Sequence, residues 1–271
     1  MIKIFRNFRK NLLNEGKTSK YFKYAIGEIV LVVVGILIAL QINNWNENRK
    51  AQALELSSMK EIIENINYDI LRCDRNIKTN TILVKGLDSL RTAIHNTFDG
   101  KDETVEIYYF TLKYVTDYSR AVLNRTAYEE LTNSGAIKGI ANRTLVRQLS
   151  DYYQRITFAV KEFRPERSHQ NLQTLRKKFI SFKGLDSYIT SFDKINPNSF
   201  FVDYDFEALK QMEHLKLLEP EGLLLEDYYN EIAQYAIDQK TYIFYMAWVK
   251  ETAEMLIKAI EKEYQLTETT L

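Results

Sequence analysis

The sequence predicts an all-α protein, with one N-terminal transmembrane helix followed by an elongated extracytoplasmic helical bundle. Three observations carry this reading. Ile29 to Leu40 form an unbroken apolar run, no glycine or proline occurs from Ile36 to Lys85, and two later stretches repeat apolar residues at alternating steps of three and four. Strand-like alternation, repeats of fixed period and low-complexity tracts do not compete with the helical pattern.

Residues 1–23 read as a cytoplasmic, basic, amphipathic segment. Lys3, Arg6, Arg9, Lys10, Lys17, Lys20 and Lys23 stand against Glu15 alone, so this head carries +6 of a net +1 and the remainder carries −5. Ile4, Phe5, Phe8 and Leu12 lie at helical spacing opposite the basic side chains, the pattern of a short helix on an anionic lipid surface. A docking peptide for a cytoplasmic partner is the other use of such a segment. Gly16 can end this helix, and Thr18 or Ser19 can cap the next.

Residues 24–44 read as a transmembrane signal anchor. From Tyr24 to Ile42 the one charged side chain is Glu28, and 19 residues at about 1.5 Å each span roughly 28 Å, close to a bilayer core. Leu40-Gln41-Ile42-Asn43-Asn44-Trp45 offers no small-residue cleavage site, so the run is expected to be retained. Tyr21, Tyr24 and Trp45 suit the two interfaces, and the basic head places the N-terminus in the cytoplasm. Glu28 is the most site-like residue of this segment, because an ionisable group in a span is a functional candidate. It can also snorkel towards Lys20 or Lys23. Gly27, Gly35 and Ala39 fall on a nearby stripe where another helix could approach closely.

Residues 45–266 are expected to form the outer bundle, with 267–271 a disordered tail. Met59, Ile63, Ile66, Ile70, Cys73, Ile77, Val84 and Leu87, with Asn80 in the same register, mark a coiled-coil-like seam. Asp99-Gly100-Lys101-Asp102 predicts a turn, then a helix over about 104–123, and Thr126-Ala127-Tyr128-Glu129 reads as a capping box. Ser134-Gly135 can close that helix. Asn142 or Thr144 can open another to about Phe163, with a bend at Pro165, a helix over 166–182 and a stop at Gly184. Asn196-Pro197-Asn198-Ser199 predicts a loop, and a short helix over about 205–218 ends at Glu219-Pro220-Glu221-Gly222. Tyr229, Ile232, Ala236, Ile243, Met246, Ala253, Ile257, Ile260 and Tyr264 predict a long final helix packed antiparallel to the first.

The run EGKTSKYFKYAIGEIVLVVVGILIALQINNWNENRK, preceded by FRNFRKNLL, resembles the N-terminal signature of a Bacteroidota family of single-span membrane-anchored proteins whose domain has no assigned function. The resemblance is strongest over residues 5–50. A second block, TAYEELTNSGAIKGIANRTLVRQLSDYYQ, is similar to that family's central region. The resemblance implies a periplasmic outer domain in a Gram-negative host and transfers no catalytic residue.

The residues that carry chemistry elsewhere are sparse. The acidic balance of the outer domain argues against nucleic acid as a partner. His95, His169 and His214 stand apart without metal-ligand spacing, and no two Glu-x-x-His motifs that could pair, nucleophile elbow or phosphate loop occur. Cys73, the single cysteine, reads as a buried apolar residue. Glu129-Glu130 and Glu226-Asp227 are the acid–base candidates, but neighbours diverge on a helix and read as solvated faces. Eighteen tyrosines, with doublets at Tyr108-Tyr109, Tyr152-Tyr153 and Tyr228-Tyr229, suit bundle edges and protein interfaces. The expectation is therefore a non-catalytic interaction module without cofactor or metal. Its partners would be the lipid bilayer and either a second copy or another membrane protein, through Gly27, Glu28, Gly35 and Ala39. The alternative is an extracytoplasmic small-molecule sensor acting through a separate transducer.

Overall fold

The computed structural model describes residues 18–115, 120–162, 166–183, 185, 200–212, 215–218 and 223–266. All regular structure among them is helical. In chain order these are α1 (Thr18–Phe98), α2 (Thr104–Tyr114), α3 (Thr126–Asn133), a 3-10 turn (Ala136–Lys138), α4 (Arg143–Thr157), a π-helical turn (Phe158–Glu162), α5 (Glu166–Phe179), α6 (Phe206–Lys210) and α7 (Leu223–Tyr264). The predicted lipid-surface helix over 2–14, Gly16, Gly184, the Asn196–Ser199 loop, the Glu219–Gly222 turn and the tail 267–271 lie outside the described residues.

The chain divides into two compact units, Met1–Ser58 and Met59–Leu271. In the first, Ile29, Val32, Leu37 and Leu40 of α1 are exposed. This part of α1 contains an 18-residue window of mean hydropathy 2.6, none of it buried in the protein. Among the described helices α1 alone is long and apolar enough to cross a membrane. Such a row of bare aliphatic side chains is compatible with a single-pass anchor, because lipid makes no demand that it be covered by protein.

The second unit holds two apolar clusters. One joins Met59, Ile63, Ile66 and Cys73 of α1 to Leu145, Leu149, Tyr152 and Ile156 of α4 and to Tyr242, Met246 and Val249 of α7. The other joins Leu83, Leu87, Leu90 and Ile94 of α1 to Tyr108 and Leu112 of α2, Phe179 of α5 and Tyr228 and Ile232 of α7. Each such side chain contributes roughly 1.5–3 kcal/mol on full burial, so the seam outweighs the modest propensities of its β-branched members. Lys250 meets Asp74 at 2.7 Å and Arg91 donates to the Tyr229 hydroxyl at 3.0 Å, which sets α7 antiparallel to the second half of α1.

Local chemistry ends and starts the elements. Gly100 and Gly135 adopt φ of +83° and +77°, the left-handed region that glycine occupies without a Cβ penalty. The Asn142 side chain accepts from the N–H groups of Thr144 and Leu145, both at 3.0 Å, so of the two starts that the sequence allows it is Asn142 that caps α4. At Gly86 a Cβ would lie 2.3 Å from the Tyr114 ring, so this glycine lets α2 approach α1.

Several expectations need correction. The helix predicted to 123 stops at Tyr114, and residues 120–125 have no regular structure and are held by side chains of α1 and α7. Thr126 is the first residue of α3 rather than its cap. Its N–H is satisfied by Asn124 Oδ1 at 2.9 Å, and Glu129 pairs with Arg125 at 3.1 Å, so no capping box forms. The helix predicted over 205–218 is only Phe206–Lys210, capped by Asp205. On α7 the buried line runs through Tyr228, Ile232, Tyr235, Gln239, Tyr242, Met246, Val249, Ala253, Leu256 and Ile260. Tyr229, Ile243 and Ile257 lie beside it, since their neighbours Tyr228, Tyr242 and Leu256 take the core positions.

Candidate functional site

A groove of about 700 Å³ in the second unit is lined by Asp151, Gln154 and Arg155 of α4, Phe158 of the π turn, and Tyr245 and Trp248 of α7. The π turn follows α4 directly, and the Phe158 N–H bonds both Gln154 O and Arg155 O there. One added residue in the turn rotates the side chains that follow, the local widening for which such turns are known. The Arg155 guanidinium lies 3.9 Å from the Trp248 ring centroid and donates to Thr252 Oγ1 at 2.7 Å. Phe158 meets Tyr245 edge to face at 5.1 Å. Stacking faces, one cation, one carboxylate and one amide make a binding surface. The lining residues contain no nucleophile with an adjacent base, the minimum for covalent or acid–base chemistry.

A second polar centre is buried. Asp69 is 1% exposed, and its carboxylate accepts from the Asn124 N–H at 2.9 and 3.2 Å, from the Tyr152 hydroxyl at 3.1 Å and from Arg72 at 3.3 Å. Burial pushes its pKa above the usual carboxylate value, and these bonds oppose the shift only in part. The Tyr242 hydroxyl accepts the Ala121 N–H at 2.7 Å. Together Asp69 and Tyr242 fasten the segment 120–125. Every oxygen of Asp69 is occupied by donors, so its role is structural. Beside it, the Cys73 thiol is fully buried and pushed up to about 12, which leaves it protonated and inert.

The residues singled out from the sequence fall as follows. An added Cβ at Gly27 or Gly35 meets nothing within 4 Å, so the fold of this chain does not require glycine there. A shallow hollow of about 320 Å³ on the same helix is lined by Ala25, Glu28, Ile29, Val32 and Val33. Glu28 thus lines a concavity that Gly27, Gly35 and Ala39 do not. Glu129, Glu130, Glu226 and Asp227 are exposed. His95 borders a small hollow with Asp88, Arg91, Thr92 and Tyr229, His169 lies against Tyr235, and His214 is outside the described residues. Among the described residues no three His, Cys, Asp or Glu side chains gather as a metal site. Tyr108, Tyr152, Tyr153, Tyr228, Tyr235 and Tyr242 are core residues rather than edge residues. Sequence reasoning missed the groove. Its signal was Trp248 beside Phe244 and Tyr245, aromatics crowding the flank of a seam.

The profile of a family of unknown function, DUF6090, matches residues 28–206. The chain belongs to that family. The DUF6090 match begins at Glu28 within the apolar stretch of α1 and ends at Phe206, the first residue of α6. It therefore includes Asp69, Asn124, Tyr152, Arg155 and Phe158, whereas Tyr242, Tyr245 and Trp248 of α7 lie beyond it. Neither a curated protein nor a solved structure matches the chain.

Proposed function

We propose that this DUF6090 member is a single-pass, membrane-anchored, non-catalytic protein that presents a helical interaction module outside the cytoplasmic membrane, in the periplasm of a Gram-negative host. The observation that carries the reading is α1, which bears a fully exposed apolar window and, farther along, the seam residues of both apolar clusters. The basic head supports an N-terminus in the cytoplasm, and the aromatic groove beside the π turn supplies a contact surface without catalytic groups. A C-terminal reporter active only outside the cytoplasm tests the orientation: activity is expected, and a fusion active in the cytoplasm overturns it.

Within the membrane, the partner is a second copy or another membrane protein reached through Gly27, Glu28, Gly35 and Ala39. In quantitative crosslinking of the intact protein in membranes, Gly35→Leu should weaken association by obstructing close helix approach. Unchanged crosslinking in both Gly35→Leu and Glu28→Gln would move the contact to the outer bundle. The groove supports one other reading, a small-molecule sensor acting through a transducer, because about 700 Å³ lies in the range of ligand sites. Quenching of Trp248 fluorescence by a small molecule, lost in Arg155→Ala, would favour that reading.

A further inference from the structure

Asp151 and Arg155 stand one turn apart on α4, and both line the groove beside the π turn. An aspartate four residues before an arginine ordinarily closes an ion pair along the helix. Here it does not. The guanidinium is drawn to α7 instead, where it lies 3.9 Å from the Trp248 ring centroid and donates to Thr252 Oγ1 at 2.7 Å. Thr252 is itself fixed by its bond to Trp248 O at 2.8 Å. Among the described residues Arg155 meets no carboxylate, and Asp151 meets no cation or hydrogen-bond donor. One hollow of about 700 Å³ therefore holds a cation and a carboxylate that the packing of α4 on α7 keeps from neutralising each other.

The remaining wall of the groove is aromatic. Phe158, 43% exposed, meets Tyr245 edge to face at 5.1 Å, and Phe244, 64% exposed, adjoins Tyr245 at 5.7 Å. Accessible rings in this arrangement take a flat apolar group. The charges restrict what can carry it. A simple carboxylate or phosphate would gain Arg155 but face Asp151, and a simple ammonium would gain Asp151 but face Arg155. A molecule bearing both charges satisfies both residues, and a guanidinium suits a carboxylate in particular. In an α-amino acid the ammonium and the carboxylate leave the same carbon, so they can reach two side chains whose Cβ atoms lie ~5–6 Å apart on one helix face. Its side chain is then left for the rings.

We propose that the groove is a recognition site for a zwitterionic α-amino acid with an aromatic side chain, its carboxylate on Arg155, its ammonium on Asp151 and its ring against Phe158 and Tyr245. The assignment rests on the reading of this groove as a small-molecule site. Isothermal titration calorimetry of the full chain in nanodiscs, with L-phenylalanine as the probe, tests it. Saturable binding is expected. Asp151→Asn should weaken the binding of L-phenylalanine about fivefold and leave that of N-acetyl-L-phenylalanine, which has no ammonium, unchanged. Arg155→Gln should weaken L-phenylalanine likewise and leave L-phenylalaninamide, which has no carboxylate, unchanged. Asp151 is exposed, so its variant should fold even where Arg155→Gln disturbs the contact of α4 with α7. Absence of saturable binding overturns the assignment. So do equal affinities for the amino acid and its two blocked forms, which would reduce the groove to an apolar contact. Quenching of Trp248 by a different small molecule, with no response to L-phenylalanine, would keep the groove as a ligand site and still overturn the amino acid as its ligand.

Discussion

Asp69 shows how one buried group can decide the course of a neighbouring loop. Its oxygens hold the Asn124 N–H and the Tyr152 hydroxyl, so Asp69→Ala should cost about 3 kcal/mol, given about 1–3 kcal/mol for each buried donor left unpaired. Denaturant titration measures this. Asp69→Asn keeps the shape and removes the charge. Because burial raises the folded-state pKa above 3.8, the native protein binds this proton more tightly than the unfolded chain does. The resulting stability is present below the unfolded value and is lost as pH rises through the folded one. The stability of Asp69→Asn relative to wild type should therefore improve as pH rises from about 3.8 towards neutrality. A pH-independent difference would show that the donors around Asp69 cancel the effect of burial. Nothing in the spacing of the sequence distinguishes Asp69 from the solvated Asp74 one turn on, since only the loop that folds over it supplies its donors.

At the scale of the helix, the seam of α1 was legible at Met59, Ile63, Ile66, Cys73, Val84 and Leu87, all buried, whereas Ile70 and Ile77 are only partly buried and their neighbours Asp69 and Asn76 take the interior positions. The seam of α7 was legible only to within one residue. Tyr228, Tyr235 and Tyr242 fill the core there, with the Tyr228 hydroxyl bonded to Thr111 and the Tyr242 hydroxyl to the Ala121 N–H. Those partners come from distant segments, so no local pattern announces them. The two registers make opposite predictions for matched substitutions. Ile66→Asp should destabilise the protein by several kcal/mol, because it buries a charge at a position with 0% exposure. Ile243→Asp, at a half-exposed position beside the line, should cost far less. Equal losses in thermal melts of the two variants would restore the register through Ile243.

At the scale of the molecule, residues 46–271 made without the anchor should be soluble and strongly helical, because both apolar clusters are completed by residues from Met59 onward. Far-ultraviolet circular dichroism tests this, and a spectrum dominated by strand or coil would refute it. What the sequence by itself determined is the class and the long elements: the all-helical fold, the apolar helix near the N-terminus, the turn at Gly100 and a helix start at Asn142 or Thr144. Each depends on chemistry within a few residues, where periodicity, side-chain capping and a missing Cβ act locally. Only the tertiary structure decided the end of α2 at Tyr114, the fastening of residues 120–125 by Asp69 and Tyr242, and the aromatic groove at the π turn. These features arise where segments far apart in the chain meet, and the free energy of a buried hydrogen bond or a stacked ring belongs to the pair and not to either residue.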